Sequence, residues 1–246
     1  MKSPVLIAVA ALAQASPLAA QNPVYSLPGE TGGPFTYLTI SQQVEYADSA
    51  HLAGTERLLD QAVVTVYSNV DRQATVTLSF YGAVQVELNV EDPTGQPGVI
   101  PGNLADFQPA DVPLWTSGPL TFQLDDDGPT NLNLNQLVFS NINTLVPDDI
   151  FWSVKFENVT NYSDGGAFGP KLENAADLGP AGAETDPSRF YARGDFSSEA
   201  WVPVWLTSDA PPTSTLSLHL TANPVPEPSV SLLAGLAALG LLRRRR

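Results

Sequence analysis

Residues 150–156 read Ile-Phe-Trp-Ser-Val-Lys-Phe, and this stretch decides the fold class. Every second residue, beginning with the isoleucine, is large and apolar, so these four side chains share one face of an extended chain. The other face carries Phe151, Ser153 and Lys155. Alternation with a period of two residues predicts a β-strand whose apolar face lies against a core.

The same alternation occurs along most of the chain. Residues 215–221 place Leu216, Leu218 and Leu220 on one face and polar residues on the other. Further strands are predicted at 35–44, 58–67, 74–90, 119–124 and 131–139, with 74–90 forming two strands that meet near Gly82. Gly, Pro, Asn and Asp separate the runs, as in turns. The sequence therefore predicts an all-β fold, an antiparallel β-sandwich with jelly-roll-like connectivity.

Three stretches lack this alternation. Residues 91–114 contain five prolines and are predicted to be an ordered, extended loop. Residues 161–187 are rich in Gly, Ala and Asp and are predicted to be one or two exposed loops. Ala53-Gly54-Thr55 interrupts an apolar segment and is predicted to be a turn.

The C-terminal segment has three parts. Pro226-Glu227-Pro228 cannot be helix or central strand, because proline fixes φ and lacks an amide donor. An apolar run at 230–242 follows, and its thirteen residues predict a short transmembrane helix of roughly 20 Å. The chain then ends in four arginines, Arg243, Arg244, Arg245 and Arg246. Clustered positive charge resists translocation, so these residues are expected to stay on the cytoplasmic side as a membrane stop.

These three parts, in this order, resemble the PEP-CTERM sorting signal of Gram-negative bacteria. The resemblance covers residues 225–246. It implies recognition by an exosortase, a membrane-embedded cysteine transpeptidase, after transient insertion in the inner membrane. It also implies release or re-anchoring at the cell surface or in the extracellular matrix, often together with exopolysaccharide production.

The N-terminus predicts a secretory signal peptide, a short helix that is cleaved off. Lys2 precedes an apolar run at 5–13, and small residues follow. The apolar run is too short for a stable membrane anchor. Cleavage is expected between Ala20 and Gln21, and a second possible site lies between Ala15 and Ser16. The chain is therefore divided into a signal peptide (1–20), a β-sandwich ectodomain (21–222) and a sorting segment (223–246).

A second resemblance covers the ectodomain. Leu-Ala-Gly-Thr-Glu-Arg at 52–57, Gly-Gln-Pro-Gly at 95–98 and Val-Pro-Asp-Asp-Ile-Phe-Trp at 146–152 are similar, in order and spacing, to segments of secreted PEP-CTERM proteins with an uncharacterised β-sandwich. That group has no established chemistry, so the resemblance implies no catalytic residue.

Composition limits the possible functions. The formal net charge is −15, and residues 21–227 hold all 26 acidic residues but only six of the 11 basic ones, which gives −20. Such a surface repels nucleic acid, so no nucleic-acid partner is expected. The chain has no cysteine, which excludes a thiol nucleophile, a disulfide framework and a thiolate metal site.

Asp125, Asp126 and Asp127, followed by Gly128, form the candidate metal site. Closely spaced carboxylates suit Ca²⁺, and glycine permits a tight turn, although the twelve-residue loop with a terminal glutamate is absent. The alternative is a polar hairpin turn without a metal. Asp148-Asp149 and Asp164-Gly165-Gly166 are similar but weaker candidates.

No catalytic residue is assigned. His51 and His219 have no sequence-local partner that suggests a triad or a metal site, so both are interpreted as surface residues. The tryptophans are interpreted mainly as core, with a sugar-stacking platform as the alternative. They are Trp115, Trp152, Trp201 and Trp205. Arg193-Gly194-Asp195 matches an adhesion tripeptide and is interpreted as a chance match.

Together these features favour a secreted, non-enzymatic protein with a structural or adhesive role in extracellular polysaccharide. The alternative is a carbohydrate-binding module, with Ca²⁺ as a possible cofactor. A hydrolase with a pair of carboxylates is a third possibility.

Overall fold

The computed structural model describes residues 22–26, 36–38, 43–86, 106–126, 133–161, 167–174, 189–194, 198–205 and 214–224. All regular elements in these ranges are β-strands. The predicted signal helix and the apolar run of the tail lie outside the described residues. Nothing in the part of the chain that the structure describes is a helix of the length and hydrophobicity that a membrane crossing requires.

Fifteen strands follow one another along the described chain. They are β1 (Asn22–Ser26), β2 (Thr36–Tyr37), β3 (Glu45–His51), β4 (Leu58–Ser68), β5 (Arg72–Val86), β6 (Asp106–Pro109), β7 (Trp115–Thr116), β8 (Leu120–Leu124), β9 (Leu134–Leu145), β10 (Asp149–Glu157), β11 (Phe168–Asn174), β12 (Arg189–Gly194), β13 (Ser198–Trp205), β14 (Ser214–Leu216) and β15 (Leu218–Asn223).

The strands form two sheets. The seven-stranded sheet has the order β1-β15-β4-β11-β14, with β2 paired to β11 and β9 paired to β4. The eight-stranded sheet has the order β13-β12-β3-β10-β5-β6, with β7 and β8 also paired to β5. Each pairing among the described strands is antiparallel. The all-β, antiparallel, two-sheet expectation is confirmed, and the jelly-roll connectivity stays a prediction.

The main core lies between the two sheets. The apolar face predicted for 150–156 enters it, and Trp152 and Phe156 are fully buried there. Leu218 and Leu220 enter the same core from β15, on the face that alternation predicts. Burying apolar surface contributes about 25 cal/mol per Å², so this layer supplies the main stabilising term in a chain without disulfides.

The prediction of two strands within 74–90 is wrong. β5 is continuous through Gly82, and one of its edges pairs with β10 as far as that residue. The opposite edge pairs in turn with β8, β7 and β6. At Gly82 the strand β5 therefore changes its pairing partners and does not turn.

The loop prediction for 161–187 is wrong where β11 lies. β11 sits between β4 and β14 in the interior of the seven-stranded sheet, although it contains Gly169 and Pro170. The Pro170 carbonyl accepts a bond from Leu38 N at 2.9 Å, so proline still serves as an acceptor. The loop prediction for 91–114 is likewise wrong at residues 106–109, which form β6.

The eight-stranded sheet curls until it is nearly closed. Four strand spacings of about 4.8 Å would place β12 roughly 19 Å from β6 in a flat sheet. Yet Tyr191 Oη on β12 donates to the Phe107 carbonyl on β6 at 2.5 Å. Trp201 Nε1 on β13 likewise donates to the Ala110 carbonyl at 3.4 Å. Within the described ranges, hydrogen bonds from side chains, and not strand pairing, thus join the two ends of this curled sheet.

A buried carboxylate joins the two sheets. Asp48, on β3, is 1% exposed and faces the main core. Thr215 Oγ1 and Leu216 N donate to its Oδ2 at 2.8 and 2.7 Å, and Ser49 N donates to its Oδ1 at 2.8 Å. Because a buried charge needs hydrogen-bond partners, these bonds fix β14 against β3.

Two of the three segments that carry the second resemblance, 52–57 and 146–152, meet in space. Arg57 Nε lies 2.6 Å from Asp148 Oδ1, and the guanidinium also donates to the Ala53 and Gly54 carbonyls at 3.2 and 3.0 Å. Leu52 N donates to the Asp148 carbonyl at 2.8 Å. The predicted turn at 53–55 is confirmed, with Gly54 at φ 69°, and Arg57 fastens it to the β9–β10 turn.

Candidate functional site

A second apolar cluster fills the inside of the curled sheet. It consists of Ala47, Tyr81, Phe151, Tyr191 and Trp201, all buried. These residues lie on the sheet face opposite to the main core, which explains why Phe151 alternates with Ile150 and Trp152. We call this set the inner aromatic cluster.

Edge-to-face contacts set the geometry of the inner aromatic cluster. The ring centroids of Tyr81 and Trp201 lie 5.5 Å apart with an interplanar angle of 83°. Those of Phe151 and Tyr191 lie 5.5 Å apart at 90°. Such pairs contribute about 0.5–1.5 kcal/mol each beyond the area they bury. The cluster therefore provides a rigid floor for whatever lies above it.

A polar network covers one end of this cluster. Glu45 accepts hydrogen bonds from Tyr81 Oη at 2.6 Å and from Ser153 Oγ, and its Oε2 lies 2.7 Å from Arg193 Nε. Arg193 Nη2 donates to Tyr81 Oη at 2.7 Å, so the phenol donates to one group and accepts from the other. The carboxylate of Glu45 is thus held by three donors and neutralised by one cation.

Arg193 lies flat on the aromatic floor. Its Cζ is 4.3 Å from the Trp201 ring centroid and 5.3 Å from that of Tyr81. Stacking and ion pairing together orient the guanidinium. The first residue of the Arg-Gly-Asp tripeptide is therefore engaged within the domain, and Asp195 lies outside the described residues.

This environment shifts the acidity of Tyr81. Burial, followed by the hydrogen bond to Glu45 and the negative charge of that residue, raises the pKa of Tyr81 to about 12. Each cause disfavours the phenolate. Tyr81 consequently stays protonated and serves as a fixed donor to Glu45 at any physiological pH.

Above the network the curled sheet opens into a groove of about 620 Å³. We call it the mouth. It is lined by Gln43, Glu45, Asp111, Lys155, Arg193, Gly194 and Ala200. Its volume falls within the roughly 300–1,000 Å³ typical of small-ligand clefts, which occur often at the open ends of rolled sheets.

Strand register places three charged residues side by side across the mouth. Lys155 on β10 is directly opposite Glu45 on β3, which is in turn opposite Arg193 on β12. Lys155 Nζ also pairs with Glu157 Oε1 at 2.8 Å, and both of these side chains are one-third exposed. The mouth therefore offers an ammonium, a guanidinium edge, the Gln43 amide and the Asp111 carboxylate to a polar ligand.

The candidate metal site is only partly described. Asp125 and Asp126 are exposed, and Asp127 lies outside the described residues. Asn135 binds the backbone of Asp125 at 2.9 and 3.1 Å, and Asp71 Oδ1 accepts from Asp126 N at 3.0 Å. Within the described ranges no group of three or more His, Cys, Asp or Glu residues could hold a metal ion. The Ca²⁺ site stays a prediction.

The histidines have partners that lie far away in sequence. His51 Nδ1 lies 2.7 Å from Asp149 Oδ1, and both side chains are about half exposed. His219 Nδ1 lies 2.9 Å from Ser26 Oγ, and burial lowers the pKa of His219. Each pair ties neighbouring strands together, since His51 is opposite Asp149 and His219 is opposite Ser26 in the ladders.

The described tryptophans do not form a common platform. Trp152 lies in the main core, as predicted, and Trp115 packs against that core with its ring 5.6 Å from Phe80. Trp201 lies on the opposite sheet face and is 5% exposed. The side chain of Trp205 is not among those described, but its strand β13 is at a sheet edge, as Pro203 suggests.

Sequence reasoning missed the mouth. Glu45, Tyr81 and Asp111 come from segments far apart in the chain, and no local pattern joins them. The signal that could have found it is the second face of 150–156. There Ser153 and Lys155 follow Phe151, so that face runs from apolar to charged.

The predicted sorting residues Pro226, Glu227 and Pro228, the arginines at 243–246, and the cleavage site at Ala20 and Gln21 all lie outside the described residues. Comparison with protein families supplies the evidence for the tail. Residues 224–246 match the family described as the PEP-CTERM protein-sorting motif. No curated protein and no solved structure matches the chain. The motif implies processing by an exosortase and sorting to the cell surface.

Proposed function

We propose that this protein is a secreted, non-enzymatic component of the surface or extracellular matrix of a Gram-negative bacterium, with a structural or adhesive role in exopolysaccharide. The single observation that carries the proposal is the match of residues 224–246 to the PEP-CTERM sorting motif. The chain inserts transiently in the inner membrane, is processed there by an exosortase and is then released or re-anchored outside.

The properties of the ectodomain support this role. A two-sheet β domain with one large core suits a protein that must persist outside the cell without disulfides. Its charge of −20 over residues 21–227 keeps it soluble and away from anionic membranes and nucleic acid.

The test is the intact mass of the mature protein from its host, combined with cell fractionation. We expect a new N-terminus at Gln21, a C-terminus near residues 226–228 and recovery with the matrix. Glu227→Ala is expected to leave the full tail in the inner membrane, while Glu199→Ala, on β13, serves as the control. A wild-type mass that retains Arg246, in the inner membrane, would reject exosortase release and make the tail a plain anchor.

A carbohydrate-binding module is the second candidate, and the mouth is the observation that favours it. A groove with amide, carboxylate, ammonium and guanidinium groups can satisfy many sugar hydroxyls. In its Ca²⁺-dependent form the module is expected to lose thermal stability in chelator, because a ligand that binds the native state stabilises it. An unchanged melting temperature in chelator would reject the Ca²⁺-dependent form.

A further inference from the structure

The mouth gathers cations that are scarce elsewhere in this domain. Residues 21–227 contain six basic residues. Among those whose side chains are described, Arg72 and Lys171 are almost fully buried, and Arg57 is held in its turn. Lys155 and Arg193 are the more accessible ones, and both line the mouth. Two such cations in one groove of a strongly acidic domain are donors that a ligand carrying negative charge can use.

Carboxylates accompany both cations. Arg193 pairs with Glu45, which is also bonded to Tyr81 and Ser153, and Lys155 pairs with Glu157. Asp111 is exposed at the rim, where a carboxylate can accept hydrogen bonds from hydroxyl groups. The mouth therefore combines two cationic donors, each paired with one carboxylate, and the exposed carboxylate of Asp111.

Both cations can exchange partners. Lys155 pairs with Glu157 at the surface, where an ion pair contributes only about 0–1 kcal/mol. Arg193 Nη1 reaches the Asp111 carbonyl at 3.4 Å, a long bond that a better acceptor can replace. The remaining guanidinium contacts hold Arg193 in position where it lines the groove, so its guanidinium is pre-organised for a carboxylate.

We propose that the mouth binds a uronate residue of an acidic polysaccharide, an inference that rests on the proposed function at the cell surface. The sugar carboxylate lies between Lys155 Nζ and Arg193 Nη1, and ring hydroxyls donate to Asp111 and accept from Gln43. Long-range repulsion by the domain is screened beyond about 8 Å at physiological ionic strength, so the short-range contacts decide binding.

The test is calorimetric titration of the mature protein with tetragalacturonate, and with the neutral galactose tetrasaccharide as matched probe. We expect binding of the acidic probe and at least roughly tenfold weaker binding of the neutral one, since hydrogen bonds to charged groups are the stronger class. Lys155→Gln is expected to weaken uronate binding roughly tenfold.

Gln136→Glu is the matched control, because it makes the same change of net charge at an exposed position on β9, in the other sheet. It should leave the Kd nearly unchanged. Equal affinity for the two probes, or equal weakening by both variants, would overturn the assignment of the mouth. If the acidic probe does not bind but the protein still fractionates with the matrix, the mouth assignment fails and the proposed function stands. If the acidic probe does not bind and the protein does not fractionate with the matrix, both the mouth assignment and the proposed function are rejected.

Discussion

Gly194 shows how one residue can limit the shape of the mouth. Its φ is +115°, where side-chain-bearing residues rarely lie, and a Cβ built there would be 2.8 Å from the Gln43 carbonyl oxygen. The close approach of two backbones, and not only turn geometry, therefore requires glycine at the second position of Arg-Gly-Asp.

We predict that Gly194→Ala lowers the free energy of unfolding by about 1–3 kcal/mol, the usual cost of a strained backbone. Gly82→Ala is the matched control, because a Cβ there meets no atom within 4 Å. Urea unfolding at neutral pH measures both variants. Equal midpoints for the two alanine variants would contradict the steric argument.

The raised pKa of Tyr81 predicts how the free energy of unfolding changes at alkaline pH. Its pKa is about 12 in the folded state and near 10 in the unfolded chain, so the folded state retains a proton that the unfolded state loses. The stabilising contribution is complete below pH 10 and is lost as pH rises from about 10 to 12. Tyr81→Phe should have a shallower decline over this window, as measured by chemical unfolding at a series of pH values. Identical slopes would show that other groups cause the decline.

At the scale of elements, the contact between β3 and β14 depends on Asp48. We predict that Asp48→Ala destabilises the domain by about 3 kcal/mol or more, because each buried donor left unsatisfied costs about 1–3 kcal/mol. Asp149→Ala removes an exposed carboxylate paired only at the surface, and its expected cost is about 1 kcal/mol or less. Thermal unfolding of the two variants compares these costs, and similar losses would argue against a special role for the buried carboxylate.

Elements with strict alternation could be predicted from the sequence. The faces of β10 and β15 were correct because each residue's side of the sheet follows from a period of two. β11 was missed because Gly169 and Pro170 resemble a loop locally, although the sheet uses the Pro170 carbonyl as an acceptor. Strand continuity at Gly82 was missed for a related reason, because a glycine within a strand gives no sign of whether the chain turns or changes partners.

At the scale of the whole molecule, the curling of the eight-stranded sheet was beyond sequence reasoning. It depends on contacts such as Tyr191 with Phe107, which are 84 residues apart. The candidate site follows from that curling, because Lys155, Glu45 and Arg193 line a groove only once three strands are in register. The sorting motif, in contrast, is contiguous and could be read directly from residues 225–246.

Net charge is also a property of the whole molecule. With a charge of −20 over residues 21–227, mutual repulsion of carboxylates destabilises the compact state. We predict that the melting temperature of the mature protein rises as sodium chloride is added, because salt screens this repulsion. Scanning calorimetry across a salt series measures it. A melting temperature that falls with salt would mean that the ion pairs contribute more than the repulsion.

The position of β15 has a mechanical consequence. It is the last described strand before the sorting tail, and it lies between β1 and β4 rather than at an edge. A force applied through residue 224 would have to slide β15 against both neighbours, whereas an edge strand can be peeled away one bond at a time. β1 is also the first described strand, so the first and last described strands of the domain are hydrogen-bonded to each other. A cell-surface tether attached at this point would therefore apply force to an interior strand of the sheet and not to an edge strand.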